Sequence, residues 1–331
     1  MRHARPPGGA RDSGAALLSV LMVVAAMSVV VVVAVEAISR ATRLAEVTGT
    51  RTESFWFARS AEAAGGAYVT TLIELSRARL TDATPRVGVP VTQPLEGGVL
   101  VATLNDATNC FNLNALAEPS DEGWGIDPDQ LRRLEKLFET MGFGPYDGGQ
   151  MAHSIADWID SDTVSRPNGA EDGYYSGLDP SYRTPGTPLQ SVRELRAIGP
   201  FDPETFAFVR TVLCVRPDTA QATLNLNTLK ASQAGLLTAL FSAELEVETA
   251  RRLIEARPLG GWGSVEDFLA LEELSQIADD ARNVSSVDVV SSHVLIDGNV
   301  TLSGHSSRFE LLYGIDTDNT AALLWRRYGE D

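Results

Sequence analysis

Two cysteines, four histidines and 27 basic residues against 44 acidic ones are all that this chain of 331 residues carries. The histidines, His3, His153, His293 and His305, stand far apart, and no H-E-x-x-H, G-x-S-x-G or phosphate loop occurs. The expectation is therefore that the chain is not an enzyme. The deficit of cations, a formal net charge of −17 and a pI near 4.7, leaves nothing to neutralise a phosphate backbone, so nucleic acid is not expected as a partner. Proline is missing from Ala10 to Thr84, and charge is missing from Ala15 to Val35. The first absence permits one very long helix, and the second permits that helix to lie in lipid.

What fills the uncharged stretch is AALLSVLMVVAAMSVVVVVAV, about 21 residues that as a helix span the ~30 Å hydrocarbon layer. Before it, residues 1–14 carry Arg2, Arg5 and Arg11 against Asp12, which keeps this leader cytoplasmic and sends the rest of the chain outward to the periplasm. A secretory signal peptide has the same layout. Against it, the apolar run exceeds a normal h-region, no A-x-A site with a turn follows, and helix formers continue instead. One helix is expected from near Ala16 to about Ala78, lipid-buried first and amphipathic after, as a single-pass inner-membrane anchor.

Beyond it, RVGVPVTQPLEGGVLVATLND alternates apolar and polar residues with a turn at Gly97 and Gly98, which predicts strands ending near Asp106. Helices follow. Asp127, Pro128 and Gln130 cap one that ends at Gly142, Ser191 and Glu194 form a capping box, and Asp202 with Pro203 opens another. From Asn283 onward the pattern is β, with turns expected at Asp297-Gly298 and Ser303-Gly304. The fold class is α+β. The phrase NLN occurs at Asn112–Asn114 and again at Asn225–Asn227, a weak internal echo in which each Asn is expected to cap a helix or shape a turn.

Asp157, Asp160, Asp162, Glu171, Asp172 and Asp179 crowd one stretch in which Arg166 is almost the sole neutralising cation. Hard oxygen donors in a flexible loop suit Ca²⁺ better than Zn²⁺, although the spacing is not that of an EF-hand. A solvated acidic loop is the alternative. The stretch from Asn225 to Leu269 has the apolar pattern of helix-hairpin-helix (SAM-like) units of DNA-binding proteins. In place of a glycine hairpin it carries FSAELEVE, whose glutamates repel a phosphate. A helical packing module is expected there, with membrane-anchored DNA uptake as the alternative function.

A short basic leader ending in Gly14, then Ala15 and an uninterrupted apolar helix, resembles the type III signal of type IV pilins and pseudopilins. That resemblance implies cleavage by a prepilin peptidase between Gly14 and Ala15. The fifth mature position, usually Glu in that family, is Ser19, a departure characteristic of the K-type minor pseudopilin of type II secretion systems. Six phrases in order are similar to that type: FNLNAL from Phe111, IADWIDSD from Ile155, GAEDGYY from Gly169, LQSVRELRAIGPF from Leu189, LNLNTL from Leu224 and SSHVLIDGNV from Ser291.

The resemblance implies a tip subunit of the periplasmic pseudopilus, a pilin-like antiparallel sheet packed on the long helix, and a large α-helical insertion. It also implies I-type and J-type pseudopilin partners and a Ca²⁺ site. Asp160, Asp162, Glu171 and Asp172 are the first choices as ligands, with Asp157 and Asn168 as weaker ones. Cys110 and Cys214, bracketing the insertion, are expected to pair in the oxidising periplasm, two separate thiols being the alternative. The expected divisions are leader 1–14, transmembrane helix 15–37, amphipathic helix and first strands 38–109, insertion 110–215, second helical unit 216–282 and C-terminal strands 283–331.

Overall fold

The computed structural model describes residues 12–81, 83–121 and 123–329. The leader up to Arg11 lies outside the described residues, and Gly14 and Ala15 fall within the first helix. That helix, α1 (Asp12–Ser76), is unbroken over 65 residues. Several of its serines and threonines turn their hydroxyls onto the carbonyl four residues back, Ser28 onto Val24 at 2.8 Å and Thr52 onto Thr48 at 2.9 Å, so these need no outside partner. From Leu17 to Val35 every large apolar side chain is exposed, whereas Ser54, Ala58, Val69 and Ile73 are buried. The helix is long and apolar enough to cross a membrane in its first part, and it packs on protein only in its second.

The packing partner is a five-stranded antiparallel sheet of β1 (Val91–Leu95), β2 (Gly98–Asp106), β3 (His293–Leu302), β4 (His305–Ile315) and β5 (Ala321–Tyr328), in that spatial order. Gly65 lets Ile296 close on the helix, since a Cβ there would stand 2.6 Å from its Cδ1. Glu62 then clamps α1 to the sheet. Its carboxylate accepts from Arg326 of β5 at 3.0 Å, from Arg59 at 2.7 Å and from the Tyr328 hydroxyl, and its carbonyl accepts from Tyr313 at 3.3 Å. Burial pushes the Glu62 carboxyl up, but these donors outweigh it and hold the group below its ordinary range.

The expected turn at Asp297-Gly298 is not one. Both residues lie mid-strand in β3, and the hairpin reverses five residues later at Ser303 and Gly304, with φ of 49° and 82°. Gly298 is there because Phe309, its partner on β4, lays its ring over the bare backbone, and a Cβ would meet that ring at 2.2 Å. Asp297 is held in the strand by Arg308, which donates to both carboxylate oxygens at 3.0 Å. Gly298→Val is therefore expected to lower the unfolding free energy by about 1–3 kcal/mol. Pairing it with Phe309→Leu should recover part of the loss in chemical denaturation, because the two sites share one space.

The insertion leaves the sheet at Asp106 and returns at His293, neighbouring points joined by the Ala107 N–H on the His293 carbonyl at 3.0 Å. Within it α2 (Pro128–Thr140) begins as expected, with Asp127 accepting from the N–H groups of Asp129 and Gln130. Next come α3 (Pro145–Ile159), α4 (Pro203–Val209), α5 (Ala234–Leu240), α6 (Val247–Glu255) and α7 (Val265–Leu269). The Ser191 and Glu194 capping box forms, on a 3₁₀ helix rather than an α-helix. Phe111, Phe138, Ile155, Leu237, Phe241 and Phe268 share one core here, separate from the helix-and-sheet core of Val69, Ile73, Ile296 and Phe309. Between α5 and α6, Leu245 is buried while Glu244 and Glu246 face solvent, and Asn283 holds the end of α5 through the carbonyls of Leu240 and Phe241.

Candidate metal centre

Helix α3 delivers two carboxylates to its C-terminal end. Asp157 on the last turn is fully buried, and Asp160, the cap, is 1% exposed. A helix C-terminus is the end that favours a cation, through its unpaired carbonyls. The loop then folds back. Arg166 donates through Nη1 to Asp157 Oδ1 at 2.8 Å and to Asp160 Oδ2, and its backbone N–H adds bonds of 3.3 and 3.2 Å to Asp157. Asn168 turns the chain with a φ of 63°, and Gly169 passes so close to Asp157 that a Cβ would stand 2.0 Å from Oδ2. Only glycine fits there.

The chain next brings in Glu171, 5% exposed, which caps the single helical turn Asp172–Tyr175. One oxygen from each of Asp160, Asp162 and Glu171 lies within 4.8 Å of the others. Two oxygens on opposite sides of an ion with bonds of ~2.4 Å are themselves about 4.8 Å apart, so these three can share one cation. Two of the buried oxygens, Asp160 Oδ1 and Glu171 Oε1, have no hydrogen-bond partner among the described residues. Orphaned buried carboxylate oxygens are expensive, and a hard cation is what such a pair accepts.

The electrostatics say the same. Burial, and then the charges of Asp157, Asp160 and Asp162, push the Glu171 carboxyl up to about 7 against the pull of the Asp172 N–H. Burial also raises Asp160, despite Arg166.

Of the residues singled out from the sequence, Asp160, Asp162 and Glu171 come together. Asp157 is turned onto Arg166. Asp172 is turned onto Thr184, accepting from its N–H at 2.9 Å and its hydroxyl at 3.1 Å. Asn168 is exposed. Beside the site Tyr175 is fully buried, edge-on to Trp158 at 5.3 Å and stacked on Tyr182 at 5.2 Å, a rigid wall that sequence spacing did not reveal.

The two NLN phrases do more than cap. Asn112 and Asn225 each accept from the N–H two residues on, at 3.2 and 2.9 Å. Asn114 exchanges hydrogen bonds with Leu189 and donates to the Arg216 carbonyl, while Asn227 does the same with Trp262 and the Val289 carbonyl. Each phrase begins on the second residue of a two-residue strand paired in parallel with one that closes its unit, Phe111–Asn112 with Leu213–Cys214 and Leu224–Asn225 with Val287–Asp288. All four asparagines are at most 2% exposed. The repeated phrase was the signal, and its meaning is two units of one plan. Cys110 and Cys214 form a disulfide across the first, with Cα atoms 5.8 Å apart.

Comparison with known proteins divides the chain at the same places. The family described as type II secretion system (T2SS), protein K matches residues 109–218, and a second match of that description covers 224–289. The type II secretion system protein K of Klebsiella pneumoniae is 31% identical over 325 residues, covering 96% of this chain and 97% of that protein. The one from Pectobacterium carotovorum subsp. carotovorum is 30% identical over 280 residues, 83% of each.

A chain in the crystal structure of the GspK–GspI–GspJ complex from enterotoxigenic Escherichia coli superposes with a TM-score of 0.72 at 26% identity, covering 86% of this chain and 99% of that one. None of these matches supports the DNA-uptake alternative. With the long apolar helix, the antiparallel sheet and the paired helical units already in place, these likenesses settle the family: the chain belongs to the protein K minor pseudopilins of type II secretion systems.

Proposed function

We propose that this chain sits at the tip of the periplasmic pseudopilus, helps initiate its assembly, and acts as a structural subunit rather than an enzyme. The observation that carries this is where the insertion sits relative to α1. The membrane-compatible segment is the N-terminal part of the helix, and the insertion packs at the opposite end: the Ser291 N–H donates to the Ala78 carbonyl at 2.7 Å and Asn225 donates to the Leu80 carbonyl at 3.3 Å. Pilin helices stack in parallel, so bulk at the membrane-distal end leaves no room for a subunit above. Ser19 removes the carboxylate that would pair with a neighbour's amino terminus.

On this reading α1 anchors the chain in the inner membrane as a single pass with the head in the periplasm. A prepilin peptidase removes the leader after Gly14, and pseudopilins of the I and J types, the company of the enterobacterial relative in its crystal structure, are the partners. The bound metal is Ca²⁺, held by Asp160, Asp162 and Glu171, with Asp172 turned onto Thr184 and Asp157 keeping Arg166 in place.

Because β2 and β3 pair directly, residues 107–292 can be replaced by a two-residue turn that keeps the sheet. In cells overproducing the major pseudopilin, the intact chain should limit pseudopilus length and the shortened one should not. Equal lengths would remove the steric argument. Gly14→Val should leave the precursor uncut by mass spectrometry of the extracted protein, and normal processing would remove the pilin-type leader from the picture.

A further inference from the structure

We propose that the Cys110–Cys214 bond is a directional thiol–disulfide exchange site, at which an incoming thiolate attacks Cys214 and expels Cys110 as a thiolate held by Arg216. The basis is the setting of Arg216, a charged side chain only 2% exposed, whose Nη2 lies 3.3 Å from Cys110 Sγ. That nitrogen is fixed there by the carbonyls of Ala107 at 3.0 Å and Thr108 at 2.9 Å, while the buried Nη1 has no hydrogen-bond partner among the described residues. Burial brings the guanidinium down to about 10, with Asp218 and Asp106 acting through space in the other direction, so it is a cation at neutral pH.

A cation fixed against one sulfur of a disulfide makes the two ends unequal. The thiol beside it is the better leaving group, because its anion is stabilised, and exchange is faster when the leaving thiol has the lower pKa. Access points the same way: Cys110 is buried and Cys214 is half-buried.

In the first step a thiolate RS⁻ forms a new S–S bond to Cys214 Sγ. The Cys110–Cys214 bond breaks, and its electron pair leaves on Cys110 Sγ beside Arg216. In the second step another thiolate attacks the RS sulfur, releasing RSSR and the Cys214 thiolate, so two thiolates supply the two electrons that reduce the bond. By microscopic reversibility the bond closes through a mixed disulfide on Cys214 that the Cys110 thiolate displaces. The co-reactant is a small-molecule thiol or the dithiol of a periplasmic exchange protein.

The test uses the intact chain in detergent, with glutathione as the thiol and iodoacetamide present to alkylate the freed cysteine, followed by peptide mapping. The expected product carries glutathione on Cys214 and the alkyl group on Cys110. It should exceed the reverse product by about tenfold, the ratio for a leaving thiol ~2 pKa units lower with a Brønsted dependence of ~0.5. Equal or reversed labelling overturns the proposal. Arg216→Gln should bring the two products toward equality and Arg216→Lys should keep the bias.

Where Arg216→Gln does not fold, the single variants decide. In Cys214→Ser, the Cys110 thiol should titrate below the ordinary ~8.5, followed by thiolate absorbance. In Cys110→Ser, the Cys214 thiol should not. An ordinary or raised Cys110 would equally overturn the assignment.

Discussion

Replacing Cys110 and Cys214 together by serine is expected to lower the unfolding free energy by about 4–5 kcal/mol, the chain-entropy value for a link that closes a loop of this size. The bridged residues are 104 apart in sequence, and the loop contains the whole first helical unit, including α2, α3 and the acidic site. Without the bridge, the unfolded chain regains the freedom of that loop, while the folded chain keeps the parallel pair of Phe111 with Leu213 and the bonds from Asn112 to the segment after Cys214.

The loss should therefore appear as a shifted denaturant midpoint with a larger slope, since the unlinked unfolded state exposes more surface. The oxidised wild type and the double variant are compared in urea, each without reductant. A loss below about 1 kcal/mol would mean that the folded unit is held by its asparagine network, with the bridge incidental.

How far the sequence spoke depended on the range of each interaction. Local rules were read well. The Asp127-Pro128 cap, the hairpin at Gly97, the Ser191 and Glu194 box and the proline-free helix are decided within a few residues, and they stand where expected.

The expectation failed where a distant residue decides. Asp297-Gly298 has the composition of a turn, but Phe309 on the next strand needs the glycine as a flat surface, and Arg308 recruits the aspartate. The acidic stretch was visible as composition, yet which carboxylates converge was not. The selection is made by Arg166, which takes Asp157 and one oxygen of Asp160, and by Thr184, which takes Asp172. The two NLN phrases showed a repeat, but nothing local shows that Asn114 and Asn227 reach 75 and 62 residues ahead, to Leu189 and Val289. Tertiary partners of that kind are set by topology, which one sequence leaves open.

The acidic site should couple Ca²⁺, pH and stability in a way that separates it from a solvated loop. In the metal-free protein the Glu171 carboxyl is held at about 7, against 4.5 ordinarily, because burial and its acidic neighbours oppose ionisation. Between those two pH values the folded protein binds more protons than the unfolded chain, so stability falls as pH rises. The contribution is complete below pH ~4.5 and gone above ~7, with a span on the order of 3 kcal/mol.

Burial holds His293 at about 3, which works the opposite way: its contribution is present above ~6.5 and is lost as pH falls toward 3. The total slope is mixed, but the increment produced by Ca²⁺ is not, because His293 is the same with and without the ion. Ca²⁺ binds the ionised trio only, so its increment should be small at pH 5 and grow to pH 8, reaching about 2.7 kcal/mol at a hundredfold excess over Kd. Mg²⁺ and Zn²⁺ should substitute poorly, the first for size and the second for want of nitrogen or sulfur.

Asp162→Ala, at an exposed position, should remove most of the increment without disturbing the fold, and adding Asp160→Ala should remove the rest. Glu171→Gln should abolish the fall in metal-free stability between pH ~4.5 and ~7, leaving the rise set by His293, while also weakening the ion. Melting curves with Ca²⁺ and with chelator at pH 5, 6, 7 and 8 measure all of this. Coincident curves at pH 8 would leave the trio as a partly buried acid cluster without a metal, with Glu171 taking up a proton only below about pH 7.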